Sequence, residues 1–225
     1  MGRSRILLLM LDSDPVVFTP SNEPYLGRAT VEKFDKTIVM CLNANYVLAE
    51  RSRQAELSDL QSAACQLIPQ GIKLALSIRE LVRQGYLFAA RVLMRSLIER
   101  AAIIFYLEQH PDQLNVWGEG WRHRDRPSLA TMLQELGDRR LKHIAIDSSF
   151  TSEYNSLTHG DPASAIFNLT FDGQGEPIFG VSKDLESPEV CDRVCSEATV
   201  WLGELLLTAS RLFPEAEGRA VEKLV

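Results

Sequence analysis

No stretch of this sequence supplies the roughly 20 consecutive apolar residues that a membrane-spanning helix needs without a charge interrupting it. No membrane contact is therefore expected. Positive charge is also scarce. Only 24 Lys and Arg stand against 30 Asp and Glu, a net charge of −6, so no global field draws in nucleic acid or an anionic lipid surface. Such a partner would need a local basic patch. Cysteine is confined to Cys41, Cys65, Cys191 and Cys195, each in an apolar, helix-patterned segment, as buried free thiols are and disulfide frameworks are not. Cys191 and Cys195 would share a helix face, but no His lies near them in sequence, which argues against a metal pair. There is no Gly-rich phosphate loop, no zinc-spaced Cys/His cluster, no nucleophile elbow and no His-Glu-x-x-His. No metal and no cofactor is expected. Internal repeats and low-complexity segments are absent too.

The start, Met1-Gly-Arg-Ser-Arg followed by Ile6 to Leu11, superficially suggests a signal peptide, but the apolar run is short. Asp12-Ser-Asp14-Pro15 follows where small residues should mark a cleavage site. A cytoplasmic location is the expectation. With 45% apolar and 24% charged residues in 225, the chain has the balance of one globular domain.

Hydrophobic periodicity predicts a mainly α fold, a multi-helix bundle with one short β-hairpin near residues 165–181. Residues 1–28 read as an irregular arm, 29–213 as a single helical domain and 214–225 as a charged tail. Helices are expected from Ala29 to about Arg51 and from Ala55 to Gln84, the second broken or kinked at Pro69 and Gly71. The segment Tyr86 to Gln109 carries Leu87, Ala90, Leu93, Met94, Leu97, Ile98, Ala101, Ile104 and Phe105 at helical spacing. Val92 and Ile103 extend its apolar surface to the far side, which predicts a central helix. A connector with Trp117, Gly118, Gly120 and Trp121 follows, then short helices over Ser128 to Leu136 and Ser149 to Thr158. Ser187-Pro188-Glu189 has the order of a helix start, with a capping Ser, a first-turn Pro and an acid at the positive end.

Three places hold candidate chemistry. Arg91, Arg95 and Glu99 stand four apart, one slanting stripe on the otherwise apolar central helix. Two cations beside one anion leave a positive surplus suited to a phosphate or carboxylate, or the stripe is an internal ion-pair network tying helices together. His159, in Tyr154-Asn-Ser-Leu-Thr-His159-Gly160-Asp161, is either a general acid or base, with Tyr154 and Asp161 available to orient it, or a helix C-terminal residue favoured by the dipole. Between Arg122 and His143 there are six cationic side chains, Arg122, Arg124, Arg126, Arg139, Arg140 and Lys142, against three acidic ones. With Trp117 and Trp121 just upstream, this segment is either a nucleic-acid patch, with Arg122 and Arg124 as binding residues, or a solvated connector.

The run Gly85-Tyr-Leu-Phe-Ala-Ala-Arg91-Val-Leu-Met-Arg95-Ser-Leu-Ile-Glu99 resembles a bacterial domain-of-unknown-function family, the one numbered five-six-seven-seven. That family's signature is an aromatic, small residues, then Arg-Ser-Leu-x-Glu. Tyr154 to Gly160 resembles its second signature, a His near a helix end, and the resemblance spans roughly Leu74 to Val181. The family is similar in outline to the HEPN superfamily of helical bundles, which includes RNases, toxins and abortive-infection proteins as well as noncatalytic members. The chain departs from the HEPN RNase pattern of Arg followed after four to six residues by His. Arg139 and Arg140 stand too close to His143, and no Arg precedes His159 at that distance. The resemblance implies a protein of bacterial stress or phage defence that binds or cleaves RNA, homodimeric by analogy. If it is an enzyme, it would be a metal-independent, ribonuclease-like one, with Arg95, Glu99 and His159 as the catalytic set and Arg91 and Tyr154 beside them. The alternative is a noncatalytic interaction subunit or regulatory protein whose Arg, Glu and His are structural.

Overall fold

The computed structural model describes residues 17–54, 56–122, 126–141, 148–162, 164–165, 169–171, 174–179 and 183–221. Residues 1–16 of the expected arm, Arg124, and Lys142 and His143 lie outside these. The fold is mainly helical, as the periodicity predicts. Its helices are α1 (Ala29–Gln54), α2 (Asp59–Arg83), α3 (Leu87–Gln109), α4 (Gln113–Gly118), α5 (Leu129–Arg139), α6 (Ser148–His159), α7 (Pro188–Leu212) and α8 (Glu215–Val221). The antiparallel hairpin β1 (Leu169–Phe171) and β2 (Pro177–Phe179) lies between α6 and α7, with Thr170 opposite Ile178. No described helix is long and apolar enough to cross a membrane.

Helix α3 is central, packing against α2, α5, α6 and α7. Its five successive residues Ala101, Ala102, Ile103, Ile104 and Phe105 are all buried. A surface helix buries only one stripe, so an unbroken run of this kind requires neighbours on every side. Helix α1 instead buries Val31, Phe34, Ile38, Cys41 and Leu48 along one face and lies against α2, α7 and α8.

Helix α2 differs from the sequence expectation. It is opened by a capping box between Ser58 and Gln61 and runs unbroken through Pro69. The helix also passes through Gly71, where a Cβ atom would come within 2.3 Å of Leu205 Cδ1. Gly71 is thus a point of close approach between α2 and α7 rather than a stop. Tertiary contact outweighs local propensity here. The true stop is Gly85, with φ +77°. There Gly85 N–H donates to Val82 O (3.0 Å) and Tyr86 N–H to Leu81 O (2.8 Å), a Schellman closure.

Three smaller corrections follow. Residues 113–118 form a helical turn within the expected connector. Part of the expected charged tail is helix α8, whose Ala216 is buried. Ser187 makes no side-chain cap, so α7 begins on Pro188 alone. The described part of the arm is irregular but docked. Phe18 exchanges backbone hydrogen bonds with the Gln84 side chain (3.0 and 3.1 Å), and Tyr25 OH donates to Asp184 O.

Candidate functional site

The stripe on α3 meets α6. Arg91, the most buried of the three, pairs with Glu153. One turn on, Arg95 Nη1 lies 3.1 Å from His159 Nε2. An Arg side chain has donors only, so His159 must accept, which places its proton on Nδ1. Arg95, Glu99 and His159 therefore come together although His159 lies 64 residues from Arg95 in sequence.

His159 is the last residue of α6, and its imidazole is not the helix cap. Gly160, at φ +68°, turns the chain, and Asp161 N–H donates to Ser156 O (3.2 Å). The backbone closes its own terminus in this way, and the ring is left to face Arg95. Tyr154 does not orient it. Its hydroxyl donates to Glu197 of α7, and the Tyr154 side chain is buried there. Burial there pushes the Tyr154 phenol far up and raises the Glu197 carboxyl as well.

Glu99 gathers arginines. Its Oε1 is 3.2 Å from Arg126 Nη2 and 4.0 Å from Arg95 Nη2, and its Oε2 is 3.3 Å from Arg100 Nη1. Three guanidinium groups thus surround one carboxylate. Arg95, Glu99 and Arg126 also line an open cleft of about 530 Å³ with Trp121, Pro127 and Leu129. Arg122 is exposed next to Trp121 without lining that cleft. Neither Arg100 nor Arg126 was singled out with Glu99 in the sequence. Arg126 is 27 residues away, and no spacing rule connects a loop Arg to a helix Glu at that range.

The basic segment does not form one patch. Arg140 is turned inward, with only 10% of its side chain exposed. It pairs with Glu108 and with Glu204 (3.4 Å), donates to Thr208 Oγ1 (3.2 Å) and lies 4.6 Å over the Phe105 ring. Arg211 adds a second bond to Glu108 (2.7 Å). Among the described residues this cluster joins two cations and two anions, with Arg140, Glu108 and Glu204 shielded and Arg211 half-exposed at its edge, and it ties α3 and α7 to the end of α5. Arg139 donates to the Gln109 side chain.

Residues 61–157 match the model of a family of unknown function, DUF5677. That segment of the chain is similar to this family. No curated protein and no solved structure matches the chain. The DUF5677 segment contains Arg91, Arg95, Glu99, Trp121 and Arg126, and it ends just short of His159. Among the described residues no group of three or more His, Cys, Asp or Glu side chains is placed to hold a metal ion. Cys191 and Cys195 are both free thiols and fully buried.

Proposed function

We propose that the cleft beside α3 binds RNA through its phosphates, and that His159 is the acid–base group of a metal-independent phosphodiester cleavage. One observation carries this reading: Arg95, Glu99 and Arg126 line an open cleft, Glu99 also pairs with Arg100, and Arg95 touches His159. The Arg140 cluster shows what a structural ion network looks like in the same molecule, with Arg140 itself shielded between two shielded carboxylates. The Glu99 cluster is open and carries a cationic surplus, which a phosphate neutralises.

In this mechanism a phosphate draws Arg95 toward itself and frees His159 Nε2, which takes the proton of the neighbouring 2′-hydroxyl. The 2′ oxygen attacks phosphorus, the 5′ oxygen leaves and takes a proton from water, and a cyclic phosphate and a 5′-hydroxyl end result. Arg95 and Arg126 oppose the negative charge that grows on the phosphoryl oxygens. An RNA-cleaving activity of this kind, unchecked, arrests growth, as expected of a stress or phage-defence protein. Induced expression of wild type, Arg95→Ala and His159→Ala tests it. Wild type arrests growth and cleaves RNA, while both variants lose the effect and melt within about 4 °C of wild type. A harmless wild type whose purified form leaves RNA intact overturns the reading.

A noncatalytic interaction subunit is the second reading, and a separate feature favours it. Val39, Leu42 and Tyr46 form an exposed apolar stripe along α1, the kind of surface that marks a protein interface. Substituting Leu42→Glu and measuring molar mass by light scattering shows whether that stripe joins two copies.

A further inference from the structure

Glu99 holds the same groups that a ligand phosphate would need. Its three guanidinium neighbours stand at 3.2, 3.3 and 4.0 Å, all longer than the roughly 2.7–2.9 Å of strong charge-assisted bonds. One carboxylate spread over three cations satisfies none of them fully. Arg95 shows this directly: its Nε is shielded from solvent and bonds to no described residue, while its Nη2 reaches Glu99 only at 4.0 Å. The Nε–Nη2 edge of a guanidinium is built for two oxygens of one anion. Trp121 Nε1, in the lining of the same cleft, is a second shielded donor without an acceptor among the described residues. Shielded donors normally have partners, so two orphans around one cleft indicate an acceptor-rich ligand.

We infer that the Glu99 carboxylate is a built-in competitor for the ligand phosphate, which displaces it from Arg126 and, as the shielding side chains shift, takes the Nε–Nη2 edge of Arg95. This inference rests on the RNA reading of the cleft. A cleft of about 530 Å³ lies in the size range of small-ligand pockets. The phosphate enters as Glu99 swings away, so the cations are never left without an anion and weak anions are rejected.

The test is the sign of the effect of removing the charge. Labelled single-stranded oligouridine is titrated against wild type and Glu99→Gln over a range of salt, with anisotropy as the readout. The variant binds roughly threefold tighter, the factor that a partly exposed ion pair is worth, and its log-log salt slope steepens by about 0.7, as for one further phosphate neutralised. Equal or weaker binding by Glu99→Gln, with wild type binding RNA, overturns the inference and leaves the RNA reading standing. Inorganic phosphate separates the remaining case. If neither protein binds RNA but phosphate raises the melting temperature of Glu99→Gln more than that of wild type, the competitor role stands and the RNA reading falls. If neither ligand acts on either protein, both fall. Should Glu99→Gln fail to fold, Arg126→Gln at its exposed position decides: weakened oligouridine binding supports the shared seat, and unchanged binding removes it.

Discussion

Arg140→Ala and Arg95→Ala remove the same side chain from two different electrostatic settings, and their stabilities should separate sharply. Arg140 is enclosed by Glu108 and Glu204, whose side chains are 10% and 11% exposed. Its loss removes a shared cation from two shielded carboxylates, and breaking a buried pair costs about 3–5 kcal/mol. Arg211, itself half-exposed, still reaches Glu108, which holds the expected cost near the lower end, about 3 kcal/mol. The lost contact over Phe105 adds roughly 0.5–1 kcal/mol. For a chain of this length each kcal/mol lowers Tm by about 2–4 °C, so Arg140→Ala should melt roughly 7–16 °C below wild type. Arg95 is more exposed, its contact to His159 is not to a carboxylate, and Glu99 retains Arg100 and Arg126. Its removal should cost about 1 kcal/mol or less, as for a surface pair. Urea unfolding followed by circular dichroism measures both. An Arg95→Ala variant as unstable as Arg140→Ala would refute the reasoning, because the open cluster would then be as structural as the shielded one.

Asp192 accepts from Arg28 and Thr30, which lower its carboxyl to about 2. A folded pKa below the unfolded value stabilises above about 4 and is lost as pH falls toward 2. Asp192→Asn should therefore flatten the acid limb of the stability curve and lower stability at neutral pH, as thermal melts across that window would show. At Gly85 the left-handed φ and a Cβ position 2.9 Å from Leu185 Cδ2 mean that Gly85→Ala should destabilise by at least about 1 kcal/mol. Equal Cm values in urea for variant and wild type would contradict this.

Much of the fold was legible because α3 has apolar residues on every side, and only a central helix tolerates that. The stops at Gly85 and Gly160 were legible for a local reason, since each turns the chain through a positive φ. Pro69 and Gly71 misled because their cost is local and their compensation is not: Leu205, in a distant helix, fills the space a Gly71 side chain would take. Likewise Glu215 to Val221 has too little apolar surface to announce a helix, and α1 supplies the packing. In the candidate site, Arg95 and Glu99 could be read together because four residues make one helical turn. Their meeting with His159 was suggested by two short motifs, not by any pattern of spacing. Arg126 and the inward turn of Arg140 were invisible, because in one basic segment nothing local distinguishes a cation facing a cleft from one facing a core.

The docked arm has a consequence for the order of folding. Tyr25 reaches Asp184, and both Arg28 and Thr30 reach Asp192, contacts separated by 159, 164 and 162 residues. Together they fasten the entry of α1 to the entry of α7, so that the helices in between lie within one closed loop of chain. Closing so long a loop is entropically expensive until packing has brought its ends close. The clasp therefore forms after the contacts of α2 with α3, which are neighbours in sequence, and it is among the first contacts to let go. Amide exchange near Tyr25 and Asp184 should accordingly outpace exchange in the middle of α3, where opening requires the whole bundle to come apart.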